Sequence, residues 1–149
     1  MRTYYFQDKS NLLIKAIGLK VDEEIKIIRG FNNVEIVKKF CKEINELNLI
    51  RLVIYSDKEL FPIKIIALKH NIFCRNLFEL DNKLMKIVIS EKFNNIDLYQ
   101  LANFFDFSLC NKTIMDLIFS EDFNNLKFCL KKDLEFLSEI YKKLEKNFL

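Results

Sequence analysis

The sequence predicts a mixed α/β domain, and three patterns in it point to that class. The chain opens with an aromatic, β-prone stretch at residues 3–6, which turns polar over residues 7–10. A nearly continuous apolar run at residues 49–55 is typical of a strand that is covered on both faces. Apolar residues recur at helical spacing over residues 33–47 and 124–148, which predicts two amphipathic helices, the second of them long.

The other elements complete the expected order. Two further strands are predicted at residues 12–21 and 24–29, with Asp22-Glu23 forming a hairpin turn between them. A helix follows the apolar run, with Leu60, Ile63, Ile66 and Ala67 on its buried face. Beyond it we expect an irregular stretch at 73–84, a strand at 85–90 and short helices at 97–105 and 112–119.

The composition is that of a single well-packed domain covering residues 1–149. Half of the residues are hydrophobic and 15 are Phe, which is enough to build a large core. Two Gly and one Pro are too few for a typical β-sandwich, and the sequence contains neither a P-loop nor a GxGxxG phosphate motif. The net charge of +3 comes from scattered residues and is only a weak indication of a nucleic-acid partner.

Other residues bear on the compartment and on metal chemistry. No apolar run reaches the length of a membrane span, and the first residues do not resemble a signal peptide, so we predict a cytoplasmic protein without a membrane partner. Cys41, Cys74, Cys110 and Cys129 lie far apart in apolar company, and we expect them to be reduced core thiols. His70 is the only histidine, so a zinc site built from several histidines is excluded.

One carboxylate lies on the apolar face of the last predicted helix. At about 100° per residue, Asp133 falls within the apolar stripe, between Leu130 and Leu137 along the axis. A carboxylate that faces a core is costly unless a cation, several hydrogen bonds or a metal ion compensates it. Two interpretations follow: a buried Asp that is paired with a Lys or capped by backbone amides, or a metal ligand.

Four segments, taken together and in order, carry a resemblance to a known family. They are residues 14–25, residues 53–59 with 67–72, residues 96–102, and residues 128–144. The chain resembles the ribonuclease H-like DEDD-type 3′–5′ exonucleases, in particular the group related to the proofreading domain of family-B DNA polymerases. The resemblance covers nearly the whole chain. It implies a ribonuclease H-like mixed β-sheet of about five strands flanked by helices, with a long C-terminal helix.

In that family four acids hold two divalent metals, and the resemblance implies which residues stand at two of those positions here. Asp133 matches the acid of the third motif. Glu59 is the best match for the acid of the second motif, with Asp57 as the alternative. If the chain is active, Asp133 and Glu59 are therefore the expected catalytic residues and ligands of magnesium or manganese.

The first motif, an Asp-x-Glu at the end of the first strand, is replaced in this chain. Gln7 stands for the Asp and Lys9 for the Glu. Gln is a neutral and weaker ligand for a hard cation, and a protonated Lys is no ligand at all. Asp8 points to the opposite face in a regular strand. These residues predict a vestigial site in which the Lys9 ammonium replaces a metal and pairs with Asp133 or Glu59.

The residues and the resemblance together predict an exonuclease-fold domain associated with nucleic acid, in which metal-dependent cleavage is lost or impaired. Its partner would be DNA or RNA, or another protein, and it would need no cofactor. One alternative is an active 3′–5′ exonuclease that uses magnesium or manganese, with Asp8 as a ligand in a rearranged first motif. The other is a protein-interaction domain unrelated to nucleases, with a Phe-rich binding surface.

Overall fold

The computed structural model describes residues 1–47, 51–74, 77 and 86–148. The strands in these ranges are β1 (Arg2–Asp8), β2 (Asn11–Val21), β3 (Glu24–Ile28), β4 (Leu52–Ile54) and β5 (Lys86–Val88). The α-helices are α1 (Asn33–Glu46), α2 (Phe61–Lys69), α3 (Leu98–Phe104), α4 (Ile114–Phe119) and α5 (Phe123–Phe148). Short 3₁₀ turns at Asp57–Glu59 and Ile89–Phe93 follow β4 and β5. The predicted mixed α/β class, with its long C-terminal helix, is therefore confirmed.

The strands form two sheets. β1, β2 and β3 make an antiparallel sheet in that order, and β4 pairs with β5 in parallel. The backbone nitrogen of Met1 donates a hydrogen bond to the carbonyl of Val53 (2.9 Å), which brings the start of β1 next to β4. The strands are thus divided three and two, and the ladders do not form the single sheet of about five strands that the sequence predicted.

A β-bulge interrupts the pairing of β1 with β2. Tyr4 pairs with Ala16 and Tyr5 pairs with Ile14, so Lys15 is an extra residue on β2. Because of this extra residue, Ile14 faces the same core cluster as Ile17, although the two are an odd number of residues apart. The bulge therefore keeps apolar side chains turned inward on both sides of the irregularity.

Helices cover both faces of the three-stranded sheet. α1 and α2 pack on one face, where Phe40 and Ile63 are fully buried. α4 and α5 pack on the other face, against Tyr4 and Ala16. The close approach of α5 depends on Gly18 of β2, since a Cβ at that position would lie 2.8 Å from Leu130 Cγ. A third cluster joins α3 to the second half of α5.

The structure confirms most of the predicted elements to within a few residues. The predicted strand at residues 49–55 is shorter than expected, because β4 spans only Leu52–Ile54 and residues 48–50 lie outside the described range. The strand predicted at 85–90 ends at Val88 and continues as a 3₁₀ turn. Most of the predicted irregular stretch at 73–84 lies outside the described residues. Among the residues that are described, no helix is long and apolar enough to cross a membrane.

The cysteines differ from the prediction. Cys110 and Cys129 form a disulfide with their Cα atoms 5.5 Å apart, whereas Cys41 and Cys74 are free. The expectation of four reduced thiols is therefore wrong for Cys110 and Cys129. The reason is tertiary: Cys110 lies in the segment before α4 and Cys129 lies in α5, and packing brings together two residues that are 19 positions apart.

Candidate functional site

The buried carboxylate of α5 meets the beginning of β1. Asp133 is 0% exposed, as its position on the apolar stripe predicted. Its Oδ2 accepts hydrogen bonds from Arg2 Nε (3.0 Å) and from the Tyr4 hydroxyl (2.8 Å). Arg2 and Tyr4 are two residues apart on one strand, so both side chains project from the same face toward α5. Strand alternation thus supplies two donors to one carboxylate oxygen.

A second buried carboxylate lies at the edge of β1. Glu59 ends the 3₁₀ turn that follows β4 and is 2% exposed. Its Oε1 accepts a hydrogen bond from Arg2 Nη1 (2.6 Å), and its Oε2 accepts one from the backbone N–H of Thr3. The Thr3 hydroxyl also donates to the carbonyl of Glu59 (2.9 Å). Glu59 therefore hydrogen-bonds the outer edge of β1, along which no strand of the described residues runs.

The Arg2 guanidinium joins the two carboxylates. It makes ion pairs to Glu59 and Asp133 through different nitrogens, which the planar fork of an Arg allows. Burial alone would lower the pKa of Arg2, but the negative charges of Glu59 and Asp133 raise it above its usual value. Arg2 is therefore a permanent cation, and it is shared by two acids in a site from which water is largely excluded.

Asp133 is incompletely compensated. Burial raises its pKa above the usual range of an Asp, although Arg2 and the Tyr4 hydroxyl act in the opposite direction. The pKa of Tyr4 is also raised, first by burial and then by the charge of Asp133, so the hydroxyl remains a donor. Asp133 Oδ1 is buried and has no hydrogen-bond partner among the described residues. The cluster therefore contains one orphaned acceptor.

The structure brings together the two residues predicted as catalytic acids and leaves Asp8 and Lys9 apart from them, while Gln7 lines a cleft that also borders Glu59. Glu59 and Asp133 meet through Arg2. Gln7, Asp8 and Lys9 are exposed at the far end of the β1–β2 hairpin, where Lys9 adopts a left-handed turn conformation (φ 47°). At a rise of about 3.3 Å per residue, Lys9 lies about 23 Å along the strand from Arg2. The predicted pairing of Lys9 with Asp133 or Glu59 is therefore wrong.

A cleft of about 1020 Å³ opens beside the cluster, between the outer edge of β1, the turn after β4 and α4. Asp57, the alternative second-motif residue, is exposed on its rim and pairs with Lys86 Nζ (2.6 Å). The lining includes four basic and two acidic residues, together with apolar side chains; it consists of Arg2, Thr3, Tyr5, Phe6, Gln7, Ser56, Asp57, Lys58, Glu59, Phe61, Lys64, Lys86, Ile114 and Met115. The cleft is thus basic, and part of its wall is aromatic.

Arg2 is the functional residue that the sequence reasoning missed. On the basis of the family resemblance, Lys9 is the predicted cation beside Asp133. The useful signal was strand alternation: Arg2, Tyr4 and Phe6 share a face, and an Arg at the start of an otherwise apolar face needs a buried anion.

Fold and site together define a mixed α/β domain in which one buried Arg links two buried carboxylates at the side of a basic cleft. Within residues 1–47, 51–74, 77 and 86–148, no group of three or more His, Cys, Asp or Glu side chains is arranged to hold a metal ion. A comparison of the chain with protein-family models, with curated proteins and with solved structures finds no match.

Proposed function

We propose that the chain is a ribonuclease H-like, exonuclease-fold domain that binds nucleic acid and does not cleave it. The observation that carries the proposal is the position of the Arg2 guanidinium, in contact with both Glu59 and Asp133. These are the two acids that the family resemblance assigns to metal binding. A cation supplied by the chain itself takes the role of neutralising them.

The donor set does not suit a pair of divalent metals. Both oxygens of Glu59 already accept hydrogen bonds, and Asp133 Oδ2 accepts two. The remaining acceptor is Asp133 Oδ1, which is buried. Magnesium and manganese need several charged oxygen ligands each, and a guanidinium at the meeting point of the carboxylates repels a metal ion. The cluster therefore lacks the free carboxylate oxygens that metal-dependent cleavage requires.

The arrangement of the strands supports the proposed fold. The hydrogen bond from Met1 to Val53 sets the three-stranded sheet beside the parallel pair. α5 packs across β1, β2 and β4 and thus spans both groups of strands. Its carboxylate reaches the turn after β4, which contains Glu59, the residue matched to the family's second motif. It also meets the start of β1, whereas the family's first motif lies at the end of that strand.

The lining of the cleft supports a nucleic-acid ligand. Lys58 and Lys64 provide positive charge for phosphates, and the charge of Lys86 is balanced by Asp57. Tyr5 and Phe61 provide aromatic surface, on which unpaired bases can stack. A single-stranded nucleic acid can use both the positive charge and the aromatic surface, because its bases are unpaired. We therefore propose a single-stranded ligand.

The test is fluorescence anisotropy with a labelled single-stranded DNA of about 20 nucleotides, and with the matching RNA, over a range of salt concentrations. We expect binding that weakens with salt. Lys58→Glu combined with Lys64→Glu should weaken it at least about tenfold, because two phosphate contacts become repulsive. The matched control is Lys143→Glu combined with Lys146→Glu. These two residues lie outside the cleft, near the end of α5.

A gel assay for cleavage in manganese distinguishes binding from catalysis. The proposal predicts an intact oligonucleotide. Degradation that is lost in Asp133→Asn would overturn it in favour of an active exonuclease.

One observation favours a second candidate, a protein-interaction domain. α2 is apolar on both sides: Pro62, Ile63 and Ile66 are buried, whereas Ile65 and Leu68 are 43% and 62% exposed on its outer face. If the chain binds no oligonucleotide but self-associates in size-exclusion chromatography, and Leu68→Lys abolishes the association, this candidate replaces the first.

A further inference from the structure

The Cys110–Cys129 disulfide encloses the helix that forms one wall of the cleft. Cys110 lies shortly before α4, and Cys129 lies in the first half of α5. The cross-link closes a loop with a sequence separation of 19, and α4 lies inside that loop. Ile114 and Met115, the first two residues of α4, line the cleft. Only a few residues of chain therefore separate the disulfide at Cys110 from the wall of the cleft.

α4 depends on tertiary anchors. It has six residues, far fewer than an isolated helix needs for stability in water. Leu117 and Ile118 are buried in the cluster that includes Leu130, and the ring of Phe119 packs edge-on against Phe6 with centroids 5.4 Å apart. The disulfide adds a covalent anchor to these contacts, so its loss should affect α4 before it affects the rest of the fold.

The two sulfur atoms differ in their surroundings. Cys110 is half-buried, whereas Cys129 is 1% exposed. Asn125 Oδ1 lies 3.9 Å from Cys129 Sγ, and Asn125 Nδ2 is buried with no partner among the described residues. A carboxamide at this distance accepts a hydrogen bond from a thiol or, after a half-turn, donates one to a thiolate. The buried sulfur therefore has a hydrogen-bonding partner for its reduced form.

From these contacts we propose that Cys110–Cys129 is a thiol–disulfide exchange site for a dithiol reductant, and that its reduction loosens the α4 wall of the cleft. A thiolate of the reductant attacks Cys110 Sγ, the sulfur of the more exposed cysteine, and Cys129 leaves as a thiolate and takes up a proton. The second thiol of the reductant then attacks the mixed disulfide and releases Cys110. Two electrons and two protons pass to the protein, and the reductant becomes a disulfide.

The test compares the oxidised protein, purified without reductant, with the same protein treated with dithiothreitol. Alkylation under denaturing conditions, followed by mass spectrometry, should find two free thiols, Cys41 and Cys74, before treatment, and all four afterwards. Hydrogen exchange of residues 110–122 should become at least about tenfold faster after reduction. Exchange in the β1–β2 hairpin should change by less than about twofold.

Variants separate the effect of the cross-link from that of the reagent. Without reductant, the Cys110→Ser variant should show the hydrogen-exchange rates of the reduced wild type in residues 110–122. The Cys74→Ser variant, which keeps the disulfide, should show the hydrogen-exchange rates of the oxidised wild type. If Cys110→Ser does not fold, the reduced wild type decides the matter. Four alkylated thiols before treatment, or equal exchange of α4 in both redox forms, would overturn the proposal.

Only the consequence for ligand affinity rests on the proposed function. We expect the oligonucleotide to bind the oxidised and reduced forms with affinities that differ by at least about threefold. If neither form binds the oligonucleotide, the proposed function fails. The hydrogen-exchange experiment still decides whether the disulfide controls α4. If both bind equally although α4 exchanges faster when reduced, the regulatory part of the inference is wrong.

Discussion

Replacing Arg2 by Met tests the central ion-pair cluster. The substitution keeps a long apolar side chain and removes the guanidinium, so that Glu59 and Asp133 remain buried without a cation. The side chains of Arg2, Glu59 and Asp133 are 8%, 3% and 1% exposed, so solvent screens their charges very little. Removing one partner of a buried ion pair costs about 3–5 kcal/mol of unfolding free energy, and we expect a loss in that range at neutral pH.

The loss should depend on pH. Burial already raises the pKa of Asp133 in the intact cluster, and removing Arg2 raises it further. When the pKa of a carboxyl is higher in the folded than in the unfolded state, the protein is destabilised as the pH rises. Its free energy of unfolding falls as the pH moves from the unfolded pKa of about 4 toward the folded pKa. The cost of Arg2→Met should therefore be smaller at a pH of about 4.5 than at neutral pH, because the orphaned Asp133 becomes protonated.

The assay is urea unfolding followed by far-UV circular dichroism, since the chain contains no Trp for fluorescence. Arg51→Met is the matched control, because Arg51 is exposed and its loss should change stability by less than about 0.5 kcal/mol. Adding Glu59→Gln and Asp133→Asn to Arg2→Met should restore part of the loss. A cost below about 1 kcal/mol for Arg2→Met, or the same cost at both pH values, would refute the reasoning.

Three further substitutions, and one control at Phe31, test packing and hydrogen bonding by the same unfolding assay. Tyr4→Phe removes a hydroxyl that donates to a buried carboxylate and should cost about 1.5–3 kcal/mol; an unchanged midpoint would show that this bond contributes nothing net. Gly18→Ala brings a Cβ to 2.8 Å from Leu130 Cγ and should cost about 1–3 kcal/mol, whereas a gain in stability would contradict the close approach of α5. Phe40→Ala, at a fully buried site of α1, should cost about 3–5 kcal/mol, and Phe31→Ala, at a side chain that is 99% exposed, should cost almost nothing.

Helical periodicity predicted what depends on local pattern. The 3.6-residue spacing of apolar side chains is enough to locate α1 and α5, because each helix buries one continuous stripe. The same periodicity places Asp133 on the buried face of α5, whatever its partners are. The geometry of a single element can therefore be read from the sequence with some accuracy, even where the tertiary contacts are unknown.

The partners could not be read in this way, because they depend on how elements meet. Arg2, Glu59 and Asp133 come from a strand, a 3₁₀ turn and a helix that are far apart in sequence. The family resemblance favours Lys9 as the cation, but strand geometry carries that residue to the far end of the hairpin. The same limit applies to the disulfide, since cysteine spacing alone does not determine connectivity.

The extra residue on β2 has a consequence for how the hairpin tolerates changes in length. Because Lys15 stands outside the alternation of the ladder, deleting it would leave the inward and outward side chains of both flanking segments in their present orientation. Deleting Ile17 instead would invert every side chain on one side of the gap, and buried residues would exchange places with exposed ones. Lys15 is therefore a position where the hairpin can be shortened by one residue while its two hydrophobic faces remain intact.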